Sequence, residues 1–522
     1  MSDAKRKVSS QLIKRLGNSS FIFVIVFFIL FIFLPAVYIL GYLGDPAALM
    51  DPVIFRALFY SLSIGLIVTL FNLLLGVPLA WMIVRSKNGF LKWLDNLIDL
   101  SLVMPTAALG FSVYFYYGTT WGISGLLGLD DGLISKGPLM IILLHIVFTL
   151  PYMVRSVSAA ILQLDITLEE AADSLGANPF TFFRTIALPL CRQGVVNGSI
   201  LSFTRSLSET GATMMVAGAF ATAPVLVVSL KDGGDLPAAA GLSVILILVA
   251  LFILICARAK FGKKVFSVPI VYPRFEKRLS EFYSARNLIV IIFYTFFIFL
   301  PTIYLVLYYL FNFQPVDFGI ILRSLLISLG IAATVTFLGA LFALPFSYLI
   351  ARNRFGIGYF MESLNEVILI VPTSALGLSI ALFWGNFSDM TILILILAHL
   401  CFTFPLFVKP LVTAFGDISF DQEEAANSLG AGPVMIFKTV LLPQIKPALI
   451  TGAIMAFMRS ISETGATLAV SREIKTISVL IVELFEEENF SEAVLACVIL
   501  FAFSLIFLFL LKRFQNGKVY YK

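Results

Sequence analysis

The chain alternates between long apolar runs and short polar segments. About 20 apolar residues are needed for a helix to cross the hydrocarbon core of a bilayer. By this measure the first half is predicted to hold six spans, at about 21–43, 55–84, 96–118, 138–162, 194–219 and 237–257. The second half is predicted to hold six more, at about 287–311, 324–350, 365–385, 391–411, 447–470 and 490–511. The pattern predicts an all-α polytopic membrane protein with about twelve transmembrane helices.

Composition supports this interpretation. Of the 522 residues, 60% are hydrophobic and only 13% are charged, and the mean hydropathy is +0.99. These values lie outside the range of soluble domains. The net charge of +5 is modest and indicates no nucleic-acid partner. The basic first 20 residues lack a small-residue cleavage site, so the apolar run that follows them is predicted to be a retained span in the lipid membrane.

The two halves of the chain repeat each other. VMPTAALGFS at 103–112 matches IVPTSALGLS at 370–379, and SETGAT occurs at both 208–213 and 462–467. Six spans per copy is an even number, so the copies share one orientation and a pathway between them is expected. The predicted segments are a basic N-terminus (1–20), a first repeat (21–257), a linker (258–286), a second repeat (287–511) and a C-terminal tail (512–522).

Basic residues set the predicted orientation. Lys and Arg accumulate after the second span, in the linker, after the eighth span and in the tail, as at Arg85, Lys92 and Arg352. Loops on the cytoplasmic side of a membrane carry this excess. The alternate loops are acidic, with Asp130, Asp131 and the run 486–488. Both termini are therefore predicted to be cytoplasmic in an inner, or plasma, membrane.

Two polar segments interrupt the apolar pattern, EEAADSLGANPFTFFRTIALP at 169–189 and EEAANSLGAGPVMIFKTVLLP at 423–443. Each is predicted to form a short helix that ends at Gly176 or Gly430, because glycine adopts the left-handed conformation at little cost. A second helix follows and is interrupted by proline. Capping boxes are predicted at the two starts, formed by Thr167 with Glu170 and by Asp421 with Glu424.

The two segments resemble the EAA signature of permease subunits of ABC importers. The matching positions are Glu170, Ala171, Ala172, Gly176, Glu424, Ala425, Ala426 and Gly430. The resemblance implies the type I importer fold and a cytoplasmic loop that docks onto an ATP-hydrolysing subunit. The alternative is an ordinary amphipathic surface helix, which two copies in register disfavour.

The resemblance also implies partners: two copies of an ABC ATPase subunit, and an extracytoplasmic solute-binding protein. The chain has no G-x-x-x-x-G-K-[ST] sequence, so ATP hydrolysis is expected in the partner chain. No Ser-His-Asp, H-E-x-x-H or C-x-x-C pattern occurs either. We therefore expect a transport subunit and not an enzyme, with no catalytic residue, no cofactor and no metal site.

Charged residues occur at membrane depth in TRSLSETGAT (204–213) and MRSISETGAT (458–467). Arginine and glutamate are four residues apart in both, hence on one helical face. Such residues normally face the interior of a helix bundle. Either they line the translocation pathway or they form structural ion pairs. The candidate pathway residues are Arg205, Glu209, Thr210, Thr213, Arg459, Glu463, Thr464 and Thr467.

The same segments resemble R-A-L-x-E-F-G-A-T of molybdate and sulfate permeases, with Thr210 and Thr464 in place of the aromatic residue. Single-chain fusions of two permeases are instead more typical of ferric-iron, thiamine and aminoethylphosphonate systems. These two resemblances disagree, and they leave ferric iron, a small oxyanion or phosphonate, and thiamine open as substrates. The rival functional hypothesis is a secondary transporter driven by an ion gradient, with Glu209 and Glu463 as ion carriers. That hypothesis leaves the duplicated polar loop unexplained.

The two histidines, His145 and His399, occupy equivalent positions. A symmetric pair suggests a metal or proton-relay site, but without nearby carboxylates a structural hydrogen-bonding role is favoured. Pro105 and Pro372 are predicted to break the third and ninth spans. The four scattered cysteines indicate packing and not a disulfide framework.

Overall fold

The computed structural model describes residues 18–42, 51–86, 88–260, 272–312, 314–352, 357–386 and 390–516. Within these ranges the chain consists of helices and contains no strand, which confirms the predicted fold class. Parts of all five predicted segments lie outside the described residues. They are 1–17 of the N-terminus, 43–50 and 87 of the first repeat, 261–271 of the linker, 313, 353–356 and 387–389 of the second repeat, and 517–522 of the tail.

The first half contains helices of very different length, and the first two are joined into one continuous helix by a π-helical segment, Ile29–Phe33. Its helices are α1 (Asn18–Phe28), α2 (Leu34–Tyr38), α3 (Pro52–Arg85), α4 (Gly89–Val103), α5 (Thr106–Gly118), α6 (Ile123–Leu126), α7 (Pro138–Leu162), α8 (Ile166–Ser174), α9 (Pro179–Phe182), α10 (Leu188–Leu190), α11 (Arg192–Leu207), α12 (Gly211–Ala217), α13 (Ala223–Asp232) and α14 (Leu236–Lys260).

The second half repeats this order after one linker helix, α15 (Pro273–Glu281). Its helices are α16 (Tyr283–Phe293), α17 (Leu300–Phe311), α18 (Phe318–Arg352), α19 (Ile357–Ile370), α20 (Thr373–Trp384), α21 (Thr391–Asp417), α22 (Phe420–Ser428), α23 (Pro433–Ile436), α24 (Leu442–Ile461), α25 (Gly465–Val470), α26 (Ile477–Glu486) and α27 (Phe490–Asn516). In each half three helices pack together as a core: α3, α7 and α11 in the first, and α18, α21 and α24 in the second.

Nine helices of the described residues are long and apolar enough to cross a membrane, and the number rises to eleven if each of two bent pairs is one span. The sequence predicts about twelve. The main difference lies at the predicted span 194–219, which the structure divides into α11 and α12. Residues 208–210 between them are not helical, so neither piece is long enough to cross alone.

The predicted proline breaks are confirmed. The chain bends by 113° between α4 and α5 and by 110° between α19 and α20. Pro105 and Pro372 stand at these bends in extended conformations, with ψ of 131° and 135°. Proline has no N–H to donate and disfavours helical geometry at the residue before it. Each predicted span therefore becomes two half-helices, and the second begins inside the protein.

The outward side of α3 shows how the bundle meets lipid. Large apolar side chains are exposed along one stripe, at Phe55, Phe59, Leu62, Leu66, Leu70 and Leu74. Their spacing of three or four residues is that of one helical face. Residues on the opposite face, such as Ile64 and Val68, are buried. An apolar stripe of this length fits a hydrocarbon environment.

The halves are interwoven at their edges. Helix α1 of the first half packs on α18, and α17 of the second half packs on α5. Phe28 stacks on Phe346 with ring centroids 4.8 Å apart, and the Tyr117 hydroxyl donates to the Phe296 carbonyl at 3.0 Å. The two repeats are thus consecutive in sequence, but each places its first helix against the other.

We predict that the close approach of α20 to α25 makes Gly377 intolerant of any side chain. A Cβ atom at Gly377 would lie 2.7 Å from both the Cα and the carbonyl oxygen of Ala466, so backbone must move. Gly377→Ala should therefore lower stability by about 1–3 kcal/mol, measured by thermal unfolding of the detergent-solubilised chain. The control is Gly330→Ala on α18, where a Cβ atom meets nothing within 4 Å. Equal unfolding temperatures for the two variants would contradict the prediction.

Candidate functional site

The two polar segments fold as a pair of matching protrusions. We name residues 166–190 the first knob and residues 420–443 the second knob. Each begins with a nine-residue helix, α8 or α22. Helix α8 ends in a Schellman motif, in which the Ala177 N–H donates to the Ala172 carbonyl at 3.0 Å. Gly176 has a φ of +78° and Gly430 one of +85°, a region that glycine adopts without strain.

The predicted capping boxes are wrong. Helix α8 begins earlier, with Asp165 as its N-cap, and the Asp165 carboxylate accepts a hydrogen bond from the Thr167 N–H at 2.9 Å. This hydrogen bond also holds the pKa of Asp165 below its usual value. Helix α22 begins after Ser419, so Asp421 is its second residue and not its cap. Glu170 and Glu424 are therefore not needed as capping groups, and their side chains are exposed.

The predicted docking residues divide by exposure. Six of the eight are exposed: Glu170, Ala171, Gly176, Glu424, Ala425 and Gly430. Ala172 is buried and Ala426 half-buried, because they face the rest of their own knobs. The most exposed apolar side chains of the knobs lie outside the predicted docking positions. Leu175 is 88% exposed and Leu429 is 89% exposed, and each stands directly before the terminal glycine.

The first glutamate of each Glu-Glu pair attaches the knob to the bundle. Glu423 is buried, contacts the Arg352 guanidinium and accepts a hydrogen bond from the Tyr348 hydroxyl at 2.8 Å. Arg352 also donates to the Phe415 and Ile418 carbonyls at 3.0 and 3.1 Å.

The first knob has the same arrangement in a looser form, with 3.4 Å between Arg85 and Glu169. This anchor is not evident from the sequence, because it joins residues that are distant along the chain. An available signal was the repeated arginine that ends both α3 and α18.

The linker helix α15 packs against the first knob. The Glu276 carboxylate is buried and accepts hydrogen bonds from the Thr181 hydroxyl and from Arg184. Burial alone would raise the pKa of Glu276, but these hydrogen bonds and the arginine charge outweigh it and lower the pKa. The second knob has Met435 and Lys438 at the positions of Thr181 and Arg184. The two knobs are therefore alike in shape but differ in how they are supported.

A second candidate site lies where α11 and α24 end inside the protein. Arg205 pairs with Glu209 at 2.7 Å, and Arg459 pairs with Glu463 at 2.5 Å. Glu209 also accepts a hydrogen bond from the Ala212 N–H at 3.2 Å. Glu463 accepts the equivalent bond from Ala466 at 2.9 Å. Each glutamate thus binds the last turn of one helix and the first turn of the next.

Each histidine also joins the two helical pieces. His145 contacts the Ser206 hydroxyl at 2.8 Å and the Thr213 hydroxyl at 2.9 Å, on opposite sides of the break. His399 makes the equivalent contacts at 2.8 and 3.0 Å, the second of them to Thr467. No group of three or more potential metal ligands occurs among the described residues. The favoured hydrogen-bonding role of the histidines agrees with this geometry.

The halves meet at the breaks. A Cβ atom at Gly211 would lie 2.4 Å from the Thr464 Cβ, and one at Gly465 would lie 2.6 Å from the Thr210 hydroxyl oxygen. Thr210 and Thr464 are each 2% exposed, and their hydroxyls have no hydrogen-bond partner among the described residues. Two glycines and two threonines thus close the space between the halves. We name Thr210, Gly211, Thr464 and Gly465 the central constriction.

Comparisons with known proteins agree with this architecture. Residues 72–261 and 343–519 each match the family described as the binding-protein-dependent transport system inner membrane component. A molybdate/tungstate transport system permease protein of Methanocaldococcus jannaschii is 30% identical over 237 residues, which are 45% of this chain and 93% of the relative. A molybdenum transport system permease protein of Mycobacterium bovis is 34% identical over 208 residues, 39% of this chain and 78% of the relative. A sulfate transport system permease protein of Salmonella typhimurium is 29% identical over 223 residues, 41% of this chain and 80% of the relative.

We predict that acid releases the linker helix from the first knob. Because the pKa of Glu276 is lowered in the folded state, its ionised form stabilises the docked helix at pH values above 4.5, the ordinary pKa of glutamate. That stability is lost as pH falls below 4.5 and through the folded pKa. A spin label on the exposed Arg278 position, in a variant without the native cysteines, should become mobile as the pH is lowered from neutral through the folded pKa, which lies below 4.5. Glu276→Gln should make the label mobile already at neutral pH. A label that stays immobile in Glu276→Gln would contradict the prediction.

Proposed function

This chain belongs to the family of binding-protein-dependent transport system inner membrane components, and on that premise we propose that it forms the complete pathway of an ATP-driven importer. It is a fused, duplicated permease, since the family matches it twice in tandem. The observation that carries the proposal is the pair of exposed, matching knobs, each followed by a helix that leads to the central constriction.

Because the two knobs are equivalent, we expect two copies of one ATPase subunit to bind, one to each knob. Leu175 and Leu429 are large apolar side chains at the tips, and exposure to water costs each of them free energy that burial in a partner groove would recover. Glu170 and Glu424 stand on the same short helices and are available for polar contacts at the rim of that groove. An apolar anchor with a polar rim is the usual composition of a protein interface.

The knobs define the orientation that we propose. An ATPase is cytoplasmic, so both knobs, the linker and both termini face the cytoplasm of a cell bounded by this inner membrane. The distribution of Lys and Arg supports the same orientation. The opposite end of the bundle then receives substrate from an extracytoplasmic binding protein. This proposal keeps the predicted segment boundaries 1–20, 21–257, 258–286, 287–511 and 512–522.

A continuous helix connects the second knob to the central constriction. Pro433–Ile461 forms one span of 29 residues, or about 43 Å at 1.5 Å per residue. It begins in the second knob and ends at the break that leads to Thr464. Movement of the knob by the ATPase would move the cytoplasmic piece of this helix as a rigid body. The break allows the outer piece, α25, to change its angle relative to it.

The proposed substrate is a small tetrahedral oxyanion. The relatives described above are named for molybdate, tungstate or sulfate. In the present chain the glutamates are buried within the ion pairs, but Arg205 and Arg459 retain 14% and 24% exposure. Guanidinium groups bind oxyanions through charge-assisted hydrogen bonds. One turn earlier on the same face, Leu201 is half-buried and Met455 is 46% exposed, as expected for residues beside a pathway.

Helix ends support an anion as substrate. Half-helices that begin inside a membrane protein point their positive ends toward the transported anion in other transporter folds. Helices α5 and α20 begin in this way, at Thr106 and Thr373. The Thr373 hydroxyl lies 3.2 Å from the position that a Cβ atom of Gly465 would take, so α20 begins beside the central constriction.

The rival function is transport driven by an ion gradient, with Glu209 and Glu463 as carriers. Both carboxylates already bind an arginine and a backbone N–H. A carrier role would require each of them to give up both partners in every cycle. We therefore favour the ATP-driven function.

We predict that charge at the knob tips abolishes association with the ATPase. Leu175→Glu combined with Leu429→Glu places two carboxylates in an apolar groove, and loss of the two anchors should weaken binding by about 2–4 kcal/mol or more. The measurement is co-purification of the ATPase subunit encoded with this chain. Leu126→Glu is the matched control, because Leu126 is 72% exposed but lies at the other end of the bundle. Undiminished co-purification of the double variant would contradict the docking role.

We predict that Arg205 contributes to transport beyond its ion pair. Arg205→Gln alone leaves Glu209 buried without a counter-charge and should destabilise the chain by about 3–5 kcal/mol. Arg205→Gln with Glu209→Gln removes both charges and should recover thermal stability. Uptake of radiolabelled molybdate or sulfate should nevertheless remain at least about tenfold reduced, the effect of one lost charge-assisted hydrogen bond. Recovery of uptake in the double variant would show that the pair is only structural.

A further inference from the structure

We propose that Arg472 is a positioning residue that holds the outer end of the pathway closed by bridging the two halves. The inference rests on the proposed transport function, since it concerns how the pathway opens. It is based on polar and apolar contacts at the end of the bundle opposite the knobs, where α13, α25 and α26 meet.

An apolar seal lies at this end, outside the central constriction. Val228, Leu468 and Val479 are fully buried against one another, and Met214 packs against them. Met214 and Leu468 are equivalent residues of the two repeats, 254 positions apart. The seal thus takes side chains from both halves, and the halves must separate here before solute can enter from outside.

Polar contacts cross between the halves directly above the seal. Arg472 Nε donates to Asp232 Oδ2 at 2.7 Å. Lys231 Nζ donates to the carbonyl oxygen of Leu468 at 2.9 Å, which belongs to the seal itself. Asp232 and Lys231 end α13 of the first half, whereas Arg472 and Leu468 belong to the second half.

Arg472 contacts two carboxylates that occupy equivalent positions in the two repeats. Arg472 Nη1 also contacts Glu486 Oε2 at 3.3 Å, and Glu486 is the counterpart of Asp232 in the repeat, 254 residues later. The position equivalent to Arg472 in the first half is Gly218, which has no side chain and a φ of +58°. A second arginine there would bring two like charges together. The fused chain avoids this conflict because its halves can differ in sequence.

We name the ion pair between Arg472 and Asp232 the bridge. Its partial exposure to water suits a contact that breaks in every transport cycle. Arg472, Asp232 and Glu486 are 38%, 28% and 44% exposed. Partly exposed ion pairs are weak, and loss of one corresponds to about a two- to fivefold change in an equilibrium ratio. The bridge therefore biases the closed state without preventing opening. Glu486 orients the arginine within its own half, and Asp232 makes the ion pair to the other half.

The test measures how often the seal opens. Val479→Cys places a thiol in the seal of a variant whose four native cysteines, Cys191, Cys256, Cys401 and Cys497, are replaced by alanine. A membrane-impermeant thiol reagent is added to the outside of intact cells, and the modification rate of the introduced thiol is recorded. Because the side chain at this position is buried when the seal is closed, the rate follows the population of the open state.

Arg472→Gln and Asp232→Asn should each raise the modification rate about two- to fivefold. Arg472→Lys should give an intermediate rate, because an ammonium group keeps the charge but cannot donate to two carboxylates through one planar fork. Lys475→Gln is the matched control. It removes the same charge from the same surface, but Lys475 pairs with Glu483 at 2.8 Å within one half, and the rate should not change.

The two main variants change the net charge in opposite directions, so a rise in both cannot come from attraction of the reagent. Unchanged rates in Arg472→Gln and Asp232→Asn, or an equal rise in Lys475→Gln, would overturn the proposal. Val228→Cys serves as a second reporter in case Val479→Cys does not fold. The chain is produced in these cells without its ATPase and binding-protein partners, so the modification rate does not depend on ATP-driven uptake. Failure of ATP-dependent uptake would therefore refute the importer function without affecting the bridge, and failure of the bridge would leave the importer function intact.

Discussion

The interior helix break is the constraint on which the rest of the structure depends. Backbone groups freed inside a membrane protein must find partners within the protein, because lipid offers none. Here the partners are supplied twice by the same side chains. Glu209 accepts a hydrogen bond from the next helix and pairs with Arg205 of the previous one, while His145 contacts hydroxyls on both pieces. We call this helix break, together with the side chains that connect its two pieces, a joint. An equivalent joint occurs in the second half.

The helices on the two sides of each joint have different neighbours. On its outer side the halves approach so closely that Gly211 has no room for a side chain beside Thr464. On its inner side each helix leads toward its own knob. Arg352 and Glu423 attach that knob to the end of α18, so knob and core helices form one body. A force applied at the knobs would reach the central constriction through rigid helices, and the joints are the positions where the backbone can bend.

Features with local causes could be predicted from the sequence. Gly176 and Gly430 end their helices as expected, because a left-handed residue is a property of a few consecutive positions, and Pro105 and Pro372 bend the chain for the same kind of reason. The duplicated architecture also follows from sequence, since it needs only self-comparison. Features that depend on distant residues were missed. Neither Arg352 with Glu423 nor Glu276 with the first knob has a local signature, and the capping boxes failed because the two helices begin earlier, after Asp165 and after Ser419.

Fusion of the two repeats into one chain changes what each half must do. Two identical subunits around an axis place identical side chains at equivalent positions, so a single central cation is not available to them. Here Arg472 corresponds to Gly218, and Thr181 and Arg184, which bind Glu276 of α15, correspond to Met435 and Lys438. The histidines, the Arg–Glu pairs and the central constriction nevertheless keep the same residues in both halves. The repeats thus differ at both ends of the bundle but retain the residues that bridge each helix break, so both halves can bend at equivalent positions.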